Sequence, residues 1–200
     1  MTMAGQGKQA KVLRNGELER LLRHVAHSRY PERDRAMVLL SFKAGLRAKE
    51  IAGLTWSMVT DASGEIADCI ALPNSASKGQ GGGRTIPLHS GLREALDALK
   101  AVRGDRARPN LPVIHSERAD GYGANAVAVW FHWRLAECGI EGASSHSGRR
   151  TFITAAAKKI VEAGGSLRDV QELAGHASLA TTQRYIQGDT EAKRKVIGLI

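Results

Sequence analysis

The chain has 200 residues, with 29 Lys+Arg against 20 Asp+Glu, a formal net charge of +9 and a pI near 9.9. One domain of this size buries roughly 70% of the surface its unfolded chain exposes, and the cationic excess favours a polyanionic partner through counterion release. Its two cysteines, Cys69 and Cys138, form no CxxC pair, which argues against a zinc cluster or disulfide framework and suits a reducing cytosol.

Met1–Lys11 has no apolar h-region and so reads as part of a tail, not a signal peptide. The longest apolar run, Ala36–Phe42, is far shorter than the ~20 residues of a membrane-spanning helix, so a soluble protein is expected. Residues 1–14 are assigned to a flexible tail and 15–200 to one folded domain. Asn15 is placed to cap a helix whose Leu18, Leu21, Leu22 and Val25 form an apolar stripe. Pro31 opens a second helix; Ala36–Leu40 is apolar nearly all round, which makes that helix central. Gly45 supplies a left-handed stop, and Arg47 follows at the start of a short helix through Leu54.

Trp56–Val59, Ile66–Leu72 and Arg84–Leu88 then read as three strands, separated by turn-rich segments at 61–64 and 77–83. Ser90 caps the next helix, with Leu92, Ala95, Leu96 and Leu99 on one face. A charged loop over Arg103–Leu111 leads past Pro112 to a helix at Ala124–Cys138. Further helices are expected at Ser147–Ala163, Leu167–Leu173 and Leu179–Ile186, with Ser166 and Ser178 as caps and a final helix over Glu191–Ile200. The expected fold is α+β, mostly helical, with a small three-stranded antiparallel sheet.

Six side chains in this order suit work on a phosphodiester: Arg47, Lys78, His146, Arg149, His176 and Tyr185. Displacement at such a centre needs a nucleophile, charge neutralisation at the phosphoryl oxygens, a proton for the leaving oxygen and a route for the nucleophile's proton. Arginine suits the second task because its planar fork binds two oxygens and stays protonated. Glu50, three residues after Arg47, is placed to orient that guanidinium. Lys78 lies in the tip Lys-Gly-Gln-Gly-Gly-Gly; the glycines follow the lysine and no Gly-Lys-Ser/Thr is present, so this is not a nucleotide-binding loop. A glycine-rich hairpin lets the lysine reach a leaving oxygen. His146 and Arg149, three apart at a helix N-terminus, face the same way beside free backbone N–H groups. A free phenol, with a pKa of about 10, is a poor nucleophile until cations favour the phenolate.

Taken singly, each residue has an ordinary explanation: a surface arginine, a turn lysine, a helix-terminating histidine, a core tyrosine. The ordered set is what points to chemistry. Elsewhere, His24-x-x-His27 lacks a third ligand and reads as a solvated helix face. Trp130, Phe131 and Trp133 read as core more readily than as base-stacking residues. No acidic cluster suited to two magnesium ions is present, which argues against a metal-dependent nuclease.

The segments Gly45-Leu46-Arg47-Ala48-Lys49-Glu50, Ser77-Lys78-Gly79, His146-Ser147-Gly148-Arg149 and Leu173-Ala174-Gly175-His176, with Tyr185 beyond, resemble the catalytic domain of the tyrosine recombinase (phage integrase) family. The resemblance covers nearly the whole chain from about Leu18. It implies that Tyr185 attacks DNA to form a 3′-phosphotyrosyl ester, that Lys78 is the general acid, and that Arg47 and Arg149 hold the phosphate with help from His146 and His176. It implies no metal or ATP cofactor. It also implies double-stranded DNA as partner, contacts from Lys49, Arg84 and Arg150, and a cytoplasmic, nucleoid-associated site of work. Members assemble as tetramers on DNA and exchange a C-terminal segment; Ile186–Ile200 is the candidate here. Gly148 departs from the leucine common in the family's His-x-x-Arg box, and the family's N-terminal core-binding domain is not expected within this chain. A type IB topoisomerase, a non-catalytic DNA-binding regulator and a metal-dependent nuclease remain as rivals at this stage.

Overall fold

In the computed structural model, residues 10–74, 83–117, 119, 121–185 and 197 are described. Eight helices are assigned among them: α1 (Asn15–Val25), α2 (Pro31–Lys43), α3 (Ala48–Ala52), α4 (Ser90–Arg103), α5 (Ala124–Glu137), α6 (Ser147–Lys159), α7 (Leu167–Ala174) and α8 (Leu179–Gln183). Strands β1 (Cys69–Leu72) and β2 (Arg84–Pro87) pair antiparallel, with Ile70 opposite Ile86.

Helix α2 is central, as its sequence predicts: every residue from Ala36 to Phe42 is buried. Pro31 sits at its start because the missing N–H is one that no helix satisfies there. The caps differ in two places. Arg14 rather than Asn15 precedes α1, its N–H donating to the Glu17 carboxylate at 2.9 Å. At α4 the cap is His89, whose Nδ1 accepts from the Gly91 N–H at 3.1 Å, so Ser90 lies inside the helix.

Among the described residues the expected three-stranded sheet is corrected to two strands. Trp56–Met58 is a 3-10 turn, not a strand. The Met58 and Val59 N–H groups turn back to the Thr55 and Trp56 carbonyls, while those of Trp56 and Ser57 reach the Leu111 and Pro109 carbonyls. Donors engaged this way cannot extend a ladder, and an isolated bridge between Thr60 and Ile66 is what remains of the pairing. The fully buried Trp56 ring explains the β-like composition: it fills core space.

The main core gathers the buried faces of α1–α5 and the sheet. A second cluster of Ile153, Val170 and Ala174 joins α6 to α7, with Phe152, Ile160 and Tyr185 packed against it. Helix α6 presses on α2 through Gly148, where an added Cβ would lie 2.1 Å from Ser41 Oγ and 2.9 Å from Phe42 Cδ2. This close approach leaves no room for a side chain at position 148. Among the described residues no helix is long and apolar enough to cross a membrane. The expected final helix and exchange segment lie outside the described residues, apart from Ile197.

Candidate active site

The site begins at the chain reversal after α2. Gly45 has φ +65°, and a Cβ there would lie 2.4 Å from Phe152 Cδ1, so glycine both makes the turn and admits the α6 side chain. Arg47 follows as the residue before α3, with extended backbone. The Glu50 carboxylate accepts from the Arg47 N–H and Nη1, each at 2.8 Å. It also accepts from Arg84 Nη1 and Nη2, each at 2.9 Å. Glu50 is 1% exposed. Burial pushes its carboxyl up, but the Arg84 hydrogen bonds and charge, reinforced by Arg47, outweigh that and hold it below its ordinary value.

Arg149 comes to the same place from α6. Its Nη1 donates to Gly45 O at 2.7 Å and its Nη2 to Ala174 O at 2.5 Å, which ties the end of α2 to the end of α7. Burial, then the neighbouring charge of Arg47, lowers its pKa to about 10, so it remains a cation at neutral pH. Three guanidiniums around one carboxylate form a corner that attracts an anion. His146 stands just ahead of α6, three residues before Arg149, and is exposed.

The third part comes from α7 and α8. Gly175 adopts a left-handed conformation (φ +60°), and a Cβ there would lie 2.6 Å from Arg84 Nη1. His176 follows. Its carbonyl accepts from Gln171 Nε2 at 2.8 Å, and its Nδ1 lies 3.0 Å from Thr182 Oγ1. Burial, followed by the charges of Arg149, Arg47 and Arg84, lowers the imidazole pKa to about 4, so it is neutral at pH 7. The Tyr185 ring stacks on it, with centroids 5.4 Å apart and 25° between planes. Arg150 Cζ lies 5.8 Å from the Tyr185 centroid.

Arg47, His146, Arg149, His176 and Tyr185 therefore line one cavity of about 520 Å³. Five of the six residues singled out in the sequence are brought together. The sixth, Lys78, lies outside the described residues, between β1 and β2 in the chain. Arg150 also lines the cavity, and Lys49 is exposed on α3. Arg84, expected to contact DNA, has a side chain 8% exposed and donates from both Nη atoms to Glu50, so in this structure it braces the site. The period of β2 carried that signal, since Arg84 shares a face with buried Ile86. Tyr185 lies just beyond α8, in a turn where its N–H donates to the Thr182 carbonyl at 3.0 Å. Ala10, assigned to the tail, also borders the cavity. Among the described residues no group of three His, Cys, Asp or Glu side chains could hold a metal ion.

Known proteins resemble this chain in sequence and in fold. The chain is 31% identical over 164 residues to tyrosine recombinase XerC of Stutzerimonas stutzeri, covering 82% of this chain and 51% of that protein. The crystal structure of XerA recombinase superposes with a TM-score of 0.73 at 24% identity, covering 96% of this chain and 65% of that one. The Tn1549 transposon integrase in complex with a circular intermediate DNA gives 0.74 at 18% identity, covering 99% and 68%. The chain spans about half the length of the curated relatives it matches. The model of the phage integrase family matches residues 11–192, and this chain belongs to that family.

Proposed function

We propose that the chain is the catalytic domain of a site-specific DNA recombinase that cuts and rejoins strands through a 3′-phosphotyrosyl intermediate. The observation that carries this reading is the convergence of Arg47, His146, Arg149, His176 and Tyr185 on one cavity from four separate stretches of chain. A phosphodiester placed there meets the guanidiniums of Arg47 and Arg149, which are already held by Glu50, Gly45 and Ala174. The Tyr185 phenolic oxygen attacks phosphorus, and its proton passes to exposed His146. The bond from phosphorus to the 5′ oxygen breaks, and Lys78 donates the proton that makes it a hydroxyl. His176, neutral, hydrogen-bonds a non-bridging oxygen. The ester to tyrosine retains the bond energy, so a second strand's 5′ hydroxyl reverses the step without ATP or metal. Lys49 and Arg150 contact the flanking DNA backbone, and a tetramer exchanging residues beyond Tyr185 brings two sites together.

The test is a DNA substrate nicked near the cleavage position, incubated with the protein in EDTA. A protein–DNA adduct resistant to denaturation is expected with the native chain and absent with Tyr185→Phe. Adduct that persists in that variant overturns the assignment of the nucleophile. A regulator that kept the fold without the chemistry would give none with either protein.

A further inference from the structure

Resting on that reading of the cavity, we propose that Thr182 is a positioning residue that fixes His176 as the tautomer carrying its proton on Nε2, where it can be donated to a phosphoryl oxygen. Thr182 is 0% exposed, and His176 Nδ1 lies 3.0 Å from its Oγ1. Two other threonines, Thr60 and Thr151, instead turn their hydroxyls back to the carbonyl four residues earlier. Thr60 Oγ1 donates to the Trp56 carbonyl at 2.9 Å, and Thr151 Oγ1 donates to the Ser147 carbonyl at 2.7 Å. Among the described residues the Thr182 hydroxyl has no hydrogen-bond partner except His176. A buried hydroxyl whose hydrogen has no acceptor is costly, and here the acceptor within reach is the Nδ1 lone pair. The hydroxyl then donates to Nδ1, and the ring proton resides on Nε2.

The rest of the setting holds the ring in that pose. The His176 N–H donates to the Gln171 carbonyl at 3.1 Å, and the His176 carbonyl accepts from Gln171 Nε2 at 2.8 Å, so the backbone is fixed on both sides. The Tyr185 ring covers one face of the imidazole. Nε2 makes no hydrogen bond among the described residues and belongs to a side chain that lines the cavity. Burial and the nearby arginines keep the ring neutral at pH 7, so a single ring proton exists and its location matters. On Nε2 it meets an anionic oxygen as a donor. On Nδ1 it would leave a lone pair facing that oxygen.

The experiment uses the full 15N-labelled chain. Nitrogen shifts and couplings of the His176 ring, identified by their loss in His176→Asn, report which nitrogen is protonated. The native protein is expected to show the Nε2–H form. Thr182→Val, close in shape but without the hydroxyl, should give a mixture of tautomers and form adduct on the nicked substrate about 10-fold more slowly, with DNA affinity unchanged. Thr182→Ser should restore both. An Nδ1–H ring in the native protein overturns the proposal whether or not the valine variant folds, and so does a valine variant that is slow yet unrescued by serine. Absence of adduct from the native chain would instead strike the functional reading, while the tautomer measurement would still stand.

Discussion

Glu50→Gln tests whether the buried carboxylate organises the phosphate corner. Glu50 accepts four hydrogen bonds from Arg47 and Arg84, all at 2.8–2.9 Å, two on each oxygen. An amide keeps one accepting oxygen and replaces the other with a donor. Two charge-assisted bonds are lost, each contributing about 1.5–3 kcal/mol, and the guanidiniums lose the anion between them. Removing one partner of a buried ion pair costs about 3–5 kcal/mol, and the two routes agree. Urea unfolding should show that loss as a lower midpoint with unchanged slope. Sulfate should recover part of it, because an anion in the cavity replaces some of the missing charge. The pH dependence has a definite sign. The folded carboxyl lies below its ordinary 4.5, so its contribution is present above that value and disappears as pH falls through the folded value. The gap between native and variant protein should narrow below pH 4.5. A loss under about 1 kcal/mol, the size of an exposed pair, would refute the view that this carboxylate is structurally required.

Three more outcomes follow from the same geometry. Gly148→Ala should destabilise by about 1–3 kcal/mol through overpacking; pairing it with Ser41→Gly should recover part of that in a double-mutant cycle, since Ser41 Oγ is the nearest atom to the new Cβ. Arg149→Lys should slow adduct formation about 100-fold or more, because an ammonium cannot span the Gly45 and Ala174 carbonyls as the guanidinium does; single-turnover cleavage of the nicked substrate measures it. His176, with a folded pKa of about 4 against an ordinary 6.5, should cost stability as pH falls from 6.5 toward 4, because the unfolded chain takes up the proton first. Urea midpoints across that range should therefore fall more steeply for the native protein than for His176→Asn, a comparison that leaves the similarly depressed His115 in both proteins.

Much of the site is local in origin, which is why it was legible. Gly45 stops α2 wherever that helix lies, the cap geometry of Arg47 and Glu50 is set within four residues, and His146 and Arg149 share a face by helical period alone. The helices follow similarly from apolar spacing and caps, and their residues form the main core. What sequence misjudged were places where a distant partner decides. Trp56–Val59 has the composition of a strand, but carbonyls of Pro109 and Leu111, over fifty residues away, take two of its N–H groups.

The sequence by itself determined the kit: which chemical groups are present, in what order, and on which kinds of element, because propensity, period and capping act over a few bonds. The tertiary structure decided how the groups divide the work. Arg84 and Arg47 are both arginines near strand or helix ends, yet one is buried on Glu50 while the other keeps its side chain 27% exposed in the cavity wall. Thr182 meets His176 only because α8 folds back beside α7. Charge and hydrogen bonding act through space over a few ångströms, so which arginine is free and which ring nitrogen holds a proton are settled by neighbours that the linear chain keeps apart.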